Sequence, residues 1–226
     1  MLLGAVADIH GNFDAMTAAM ARHPDVPFWI CVGDLASRTG AYPEPPAPLY
    51  WIKGNNEDFS RIAAWQAGAP QPVHLHFIPN GTAARVGPLT VAGLGGTFAP
   101  TWFETPADRL PHTPRDDKRR HFVREEAEAC KRLAGVDILM THEAARPFVL
   151  VDEVPGQKPR RRDAGKPAIN DVLATLRPRL HLCGHHHRFA ESEREGVRSV
   201  CIDRVNRSYL LIDATTLEYS CVNQPR

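Results

Sequence analysis

Nine short apolar runs punctuate this chain, at residues 2–7, 28–32, 49–52, 73–78, 88–92, 137–141, 179–183, 197–202 and 208–213. They read as strands. Between several of them lie helix-like stretches. In 13–22, Phe13, Met16, Ala19 and Met20 share one helical face. Residues 116–134 read as a charged helix with Phe122, Ala129 and Leu133 as its inner stripe, and 168–176 as a shorter helix before Pro178. Early strand–helix alternation predicts an α/β sheet, and the closing series of strands predicts a mixed or second sheet. No internal repeat or domain boundary is seen, so 1–226 is expected to form one domain.

Composition excludes several partners. Lys plus Arg number 27 and Asp plus Glu 26, a balance that argues for neither a long nucleic acid nor a membrane surface. No apolar run approaches the roughly 18 residues a membrane span needs. The opening "LLGAVADIH" has no basic leader and is broken by Asp8, so it reads as a first strand and not a signal peptide. Five scattered cysteines form no C-x-x-C pair and suggest a reducing, cytoplasmic setting with buried thiols.

The polar residues gather where strands stop. Asp8-Ile9-His10-Gly11-Asn12 follows the first run, Gly33-Asp34 the second, and Gly54-Asn55-Asn56-Glu57 the third. His142-Glu143 follows 137–141, and Gly184-His185-His186-His187 follows 179–183. In an open α/β sheet, sites form beyond the carboxyl ends of strands. Carboxylate, imidazole and amide oxygen are all ligands for a hard or borderline divalent cation. Any one of these elements alone is weak; five in order, each at a strand end, are specific.

The series "DIH", "GD", "GNNE", "TH", "GHHH" resembles the calcineurin-like metallophosphoesterases, whose run is D-x-H, G-D, G-N-H-D/E, a lone His and G-H-x-H. The resemblance implies a two-sheet mixed β-sandwich flanked by helices, with a dinuclear metal site at the rim. It assigns Asp8, His10 and His187 to a first metal, Asn55, His142 and His185 to a second, and Asp34 to both. It also implies hydrolysis of phosphodiesters or phosphomonoesters by a hydroxide bridging the two ions, with Mn²⁺ favoured over Fe or Zn²⁺. Small-molecule or nucleotide phosphate esters are the expected substrates. A metal-bearing scaffold that recruits a partner, or a nuclease, are the competing functions. Oligomeric state is left open.

The chain departs from the family at Asn56, where a histidine would protonate the leaving group. Asparagine can hydrogen-bond a phosphate but cannot shuttle a proton near neutral pH. His112, His186 and Glu57 are candidate substitutes. Arg38, in "GDLASRTG", is placed where a phosphate-binding arginine stands in the serine/threonine phosphatase branch, and reads equally as a solvated loop residue. Asn12 reads as a helix cap. His186, pointing opposite to its neighbours, reads as structural or solvent-facing. His74, His76 and His181 read as ordinary strand histidines. Glu57 and Asp58 read either as supports for a ligand or as a solvated helix start. Trp102 and Phe103 are loop anchors or base-stacking residues, and "KPRRR" (158–162) is a solvated loop or a basic rim.

Overall fold

Strands with apolar residues on both faces need cover on both faces, and the chain supplies it in layers. The computed structural model describes residues 1–113, 116–152 and 160–224. A first six-stranded sheet runs in the order Tyr219–Asn223 (β18), Ser208–Asp213 (β17), Leu2–Val6 (β1), Trp29–Cys31 (β2), Leu49–Trp51 (β3), Leu75–Phe77 (β4). β1 to β4 are parallel, and β17 and β18 close the far edge antiparallel. The second sheet runs Ala190–Arg194 (β15), Val197–Cys201 (β16), Leu180–Cys183 (β14), Ile138–Thr141 (β11), Leu89–Leu94 (β6), Thr82–Val86 (β5). Its four central strands are parallel and both edges antiparallel.

The period-2 geometry of a strand sorts the side chains. Leu3, Ala5, Ile30 and Ile52 of the first sheet face Val91, Ile138, Met140, Leu182 and Val200 of the second and form the inter-sheet core. Val6, Trp29, Cys31 and Trp51 turn outward instead. Phe13–Ala21 (α1) and Phe59–Gln66 (α2) cover them with Met16, Ala19, Met20, Phe59 and Ile62. Arg124–Lys131 (α4) and Pro167–Leu176 (α5) do the same for the second sheet, laying Ala127, Cys130, Ile169 and Val172 on Ala92, Leu94 and Leu139. The expected sandwich flanked by helices is therefore the observed architecture.

Local chemistry sets the helix ends. Asn12 caps α1, its side chain accepting from Ala15 N at 3.3 Å, as the cap reading expects. Asp58 caps α2 by accepting from Arg61 N at 2.9 Å. That helix is absent from the sequence reading because its mean polarity hides the Phe59–Ile62 stripe.

The helix expected over 116–134 begins only at Arg124. Before it, Asp116–Asp117 (β9) pairs with His112–Thr113 (β8), and His121–Phe122 (β10) pairs with Thr97–Phe98 (β7). Largely buried Lys53 Nζ donates to the carbonyls of Arg119 and His121, at 2.8 and 3.1 Å, and holds this segment as a single 3₁₀ turn over Lys118–Arg120 between the two short strands. Ala129 is only half-buried, and Ala127 and Cys130 take the inner stripe. Two further short elements lie in the connections: Pro100–Phe103 (α3), and Val149–Asp152 (β12) paired with Arg160–Asp163 (β13). Lys158 lies outside the described residues.

Candidate metal centre

Because β1, β2 and β3 run parallel in one sheet and β11 and β14 in the other, their carboxyl ends meet along one rim. Asp8, His10, Asp34 and His187 are brought there with ligand atoms within 4.8 Å of one another. His10 Nε2 and His187 Nε2 stand 3.1 Å apart, and His187 Nε2 is 3.5 Å from Asp8 Oδ1. Beside this cluster lies a second. His142 Nε2 meets Asn55 Oδ1 at 3.0 Å, and the His142 and His185 rings stand 5.0 Å apart in an edge-on arrangement. Asp34 faces both: Oδ2 is 3.5 Å from His10 Nε2 and Oδ1 is 3.5 Å from His142 Nε2.

The backbone is strained where these groups are presented. Asp8, His10, Asp34, His185 and His187 all have left-handed φ, between +48° and +67°. Such a conformation costs a non-glycine residue on the order of 1–2 kcal/mol. Only three other described non-glycine residues share it, Arg177, Glu195 and Leu217, so strain is concentrated at the rim. Two glycines permit the crowding. A Cβ on Gly54 would fall 2.0 Å from Asp34 Oδ1, and one on Gly33 2.7 Å from His142 Nδ1. The glycine of each motif makes room for its neighbour's ligand.

The donor set fits a cation. Asp8 is buried and its Oδ1 has no hydrogen-bond partner, while Oδ2 accepts from the backbone N–H of His185 at 2.9 Å. An orphaned buried carboxylate oxygen is costly unless something positive meets it. Burial would raise the Asp34 carboxyl, but adjacent His142 and two hydrogen bonds from Asn56 hold it below the ordinary range. Burial would likewise lower His142, yet Asp34, Asp8 and the Val32 carbonyl raise it to about 10. The field here holds positive charge, whether proton or metal ion. His142 Nδ1 lies 2.8 Å from the Val32 carbonyl, an anchor that directs Nε2 into the cluster. His185 is pushed down to about 4 by burial and by His142, which leaves its lone pair free for coordination.

Glu57 is no solvated helix residue. Its carboxylate accepts from Leu35 N, Ala36 N and Gly54 N, at 3.0, 3.1 and 3.2 Å, and from the Tyr42 hydroxyl at 3.0 Å. It thereby ties the Asp34 turn to the Asn55 turn. Glu143 performs a similar task on the other sheet: it accepts from Phe98 N, pairs with Lys166 at 3.3 Å and approaches His185 Nε2 at 3.8 Å. Its position next to His142 was the only sequence signal of that role.

Asn56 donates twice to Asp34, from its backbone N to Oδ1 and from Nδ2 to Oδ2, both at 2.8 Å. It lines a pocket of about 320 Å³ together with His10, Ala36, Ser37 and exposed Arg38. The candidate substitutes for a histidine at 56 are placed elsewhere or otherwise engaged. Glu57 already serves four donors, and His186 stacks on Phe148 with its rings 6.4 Å apart. His112 lines a different pocket, beside Asp58, Asp117 and Arg119. His181 is interior, and His74 bonds the Pro45 carbonyl at 3.0 Å. Phe103 packs on Phe98 and Phe122, so that loop is core-anchored, and Trp102 lies against Lys118. A wider cleft of about 780 Å³, lined by Tyr42, Arg61, Trp65 and His74 among others, contains none of the clustered residues.

Comparisons with known proteins identify the family and the fold. A family model described as calcineurin-like phosphoesterase matches residues 1–189. The chain is similar to the lariat debranching enzyme of Schizosaccharomyces pombe, 23% identical over 193 residues, which is 79% of this chain and 42% of that enzyme. It thus spans less than half the length of that relative. The crystal structure of TT1561 from Thermus thermophilus shares the fold at a TM-score of 0.65 and 15% identity, with 98% of each chain covered. GAP50, the anchor in the inner membrane complex of Plasmodium, shares it at 0.53 and 12%, covering 100% of this chain and 89% of its own. No described helix is long and apolar enough to cross a membrane.

Proposed function

The chain belongs to the calcineurin-like phosphoesterases, and on that premise we propose that it is a dinuclear-metal phosphodiesterase for small or nucleotide-type esters. Asp8, His10 and His187 would hold the first ion, Asn55, His142 and His185 the second, and Asp34, which faces both clusters, would serve both. The observation that carries this reading is the placement of Asp34, whose two carboxylate oxygens stand equally close to imidazoles of two separate clusters. A pair of divalent ions supplies an activated water at neutral pH and neutralises charge on a phosphoryl group. Mn²⁺ is the proposed metal.

The chain's own residues then position and select. Glu57 fixes the Asp34 and Asn55 turns relative to each other, and the Val32 carbonyl orients His142. Asn56 keeps one amide hydrogen on Asp34 and has a second for a phosphoryl oxygen at the pocket wall, with Arg38 beside it. It delivers no proton. The leaving group must therefore depart largely unaided, which favours esters of acidic alcohols and diesters over phosphoserine. The similarity to a lariat debranching enzyme supports a nucleotide-type ester.

The test is hydrolysis of bis-p-nitrophenyl phosphate and p-nitrophenyl phosphate by metal-stripped protein, with Mn²⁺, Fe²⁺, Zn²⁺ and Mg²⁺ added back singly. Metal-dependent turnover with the diester preferred is the expected result. Two ions bound per chain with no turnover of either ester would instead favour a metal-bearing scaffold.

A further inference from the structure

Arg204 reaches the metal rim from a part of the chain beyond the residues the family model matches. Its turn is fixed at two points. The N–H of Val205 donates to the carbonyl of Ala7 at 3.0 Å, directly before Asp8, and Val205 itself is buried. The Arg204 carbonyl accepts from Arg207 N and Ser208 N, at 2.8 and 3.2 Å, where β17 begins. From this base Nη2 of Arg204 meets Nδ1 of His187 at 2.7 Å.

The guanidinium is exposed, and among the described residues no ion pair joins it to a carboxylate. The neighbouring Asp203 pairs with Arg207 at 3.7 Å and accepts from the backbone N–H of Arg204. A cation fixed at the mouth of a metal centre without an acidic partner needs an explanation.

The chemistry of His187 supplies one. Its Nε2 faces His10 and Asp8. A neutral imidazole carries one N–H, so a ring whose Nε2 lone pair goes to a cation has its proton on Nδ1. A guanidinium has donors only. An Nδ1–H and Arg204 therefore cannot bond to each other, and coordination at His187 obliges Arg204 to seek another acceptor. The phosphoryl oxygens of an ester seated at the centre meet that need, and the planar fork suits two of them at once.

We propose that Arg204 is a phosphate-binding residue of this centre, gripping the ester from the His187 side as Arg38 and Asn56 approach it from the other. The inference rests on the phosphoesterase reading for its ligand, a phosphoryl anion, and adds a residue outside the family's motifs.

Calorimetric titration of inorganic phosphate into Mn²⁺-loaded wild type, Arg204→Gln and Arg204→Lys tests it, with Mn²⁺ titrations of the metal-stripped proteins run alongside. Arg204→Gln is expected to weaken phosphate about tenfold or more, with Mn²⁺ affinity unchanged and Arg204→Lys recovering part of the loss. KM for bis-p-nitrophenyl phosphate should rise more than kcat falls. Phosphate binding equal to wild type in Arg204→Gln overturns the proposal, as does a wild type that binds no phosphate. A loss confined to Mn²⁺ affinity also overturns it, since Arg204 would then only hold His187. If phosphate binds through Arg204 but no ester is turned over, the phosphoesterase reading fails while this one stands.

Discussion

His142 and His181 are both fully buried, one just past β11 and the other within the adjacent strand β14, yet their environments push them in opposite directions. His181 lies within β14, its ring nitrogens 2.7 Å from the Thr141 hydroxyl and 2.8 Å from the Ser199 hydroxyl. Burial, unopposed by any charge, lowers it to about 3. At His142, one residue past β11, the same burial is outweighed by Asp34 and Asp8, and the ring rises to about 10. Burial alone therefore does not decide an imidazole's state. A few ångströms separate an interior that tolerates only a neutral ring from a rim that gathers positive charge, and the difference is two carboxylates.

Removing a carboxylate should break the contrast most severely. Asp34→Asn is expected to cost about 10²–10³ in kcat with bis-p-nitrophenyl phosphate, or more, and to reduce the metal bound per chain by atomic absorption. Full metal content with lost turnover would contradict a shared ligand. Asn56→His places beside Asp34 a side chain able to donate the proton that asparagine cannot. Rates on esters with poor leaving groups should then rise by up to about 10²-fold, and an unchanged ratio of poor to good leaving groups would show that another acid already serves.

Gly54→Ala attacks the packing that presents Asp34, because its Cβ would lie 2.3 Å from the Asp34 backbone nitrogen. A loss of about 1–3 kcal/mol in urea unfolding is expected; an unaltered midpoint would mean that the turn yields easily. The last effect concerns the interior ring and emerges only on acidification. Below about pH 6.5 the unfolded chain takes up a proton that folded His181 refuses until about pH 3. Its contribution, complete above that range, should shrink by about 1.4 kcal/mol for each unit the pH falls. His181→Gln should flatten this part of the acid limb in urea midpoints measured across it, and an unaltered slope would assign the limb to other groups.

Much of this architecture is legible in the amino-acid sequence, for identifiable reasons. Strand cores are dense apolar runs, so β1, β2, β3, β11 and β14 were visible, as were the polar turns that follow them. Edge strands such as β5, β15 and β18 were not, because exposed residues such as Glu191, Glu193 and Arg194 carry no apolar signature. The stretch 116–123 reads as helix because its local composition is helical; Lys53, more than sixty residues earlier, claims its carbonyls.

The sequence by itself determined the residue types at five strand ends and their order, and with them the family and the candidate ligands. Local motif chemistry is short-range, so it survives in the one-dimensional text. Only the tertiary structure decided that Glu57 braces two turns, that Asp8 Oδ1 is left without a partner, that His186 stacks on Phe148 and that Arg204 stands over His187. Each of those depends on two segments meeting in space, and the distance that decides it is set by the packing of the two sheets.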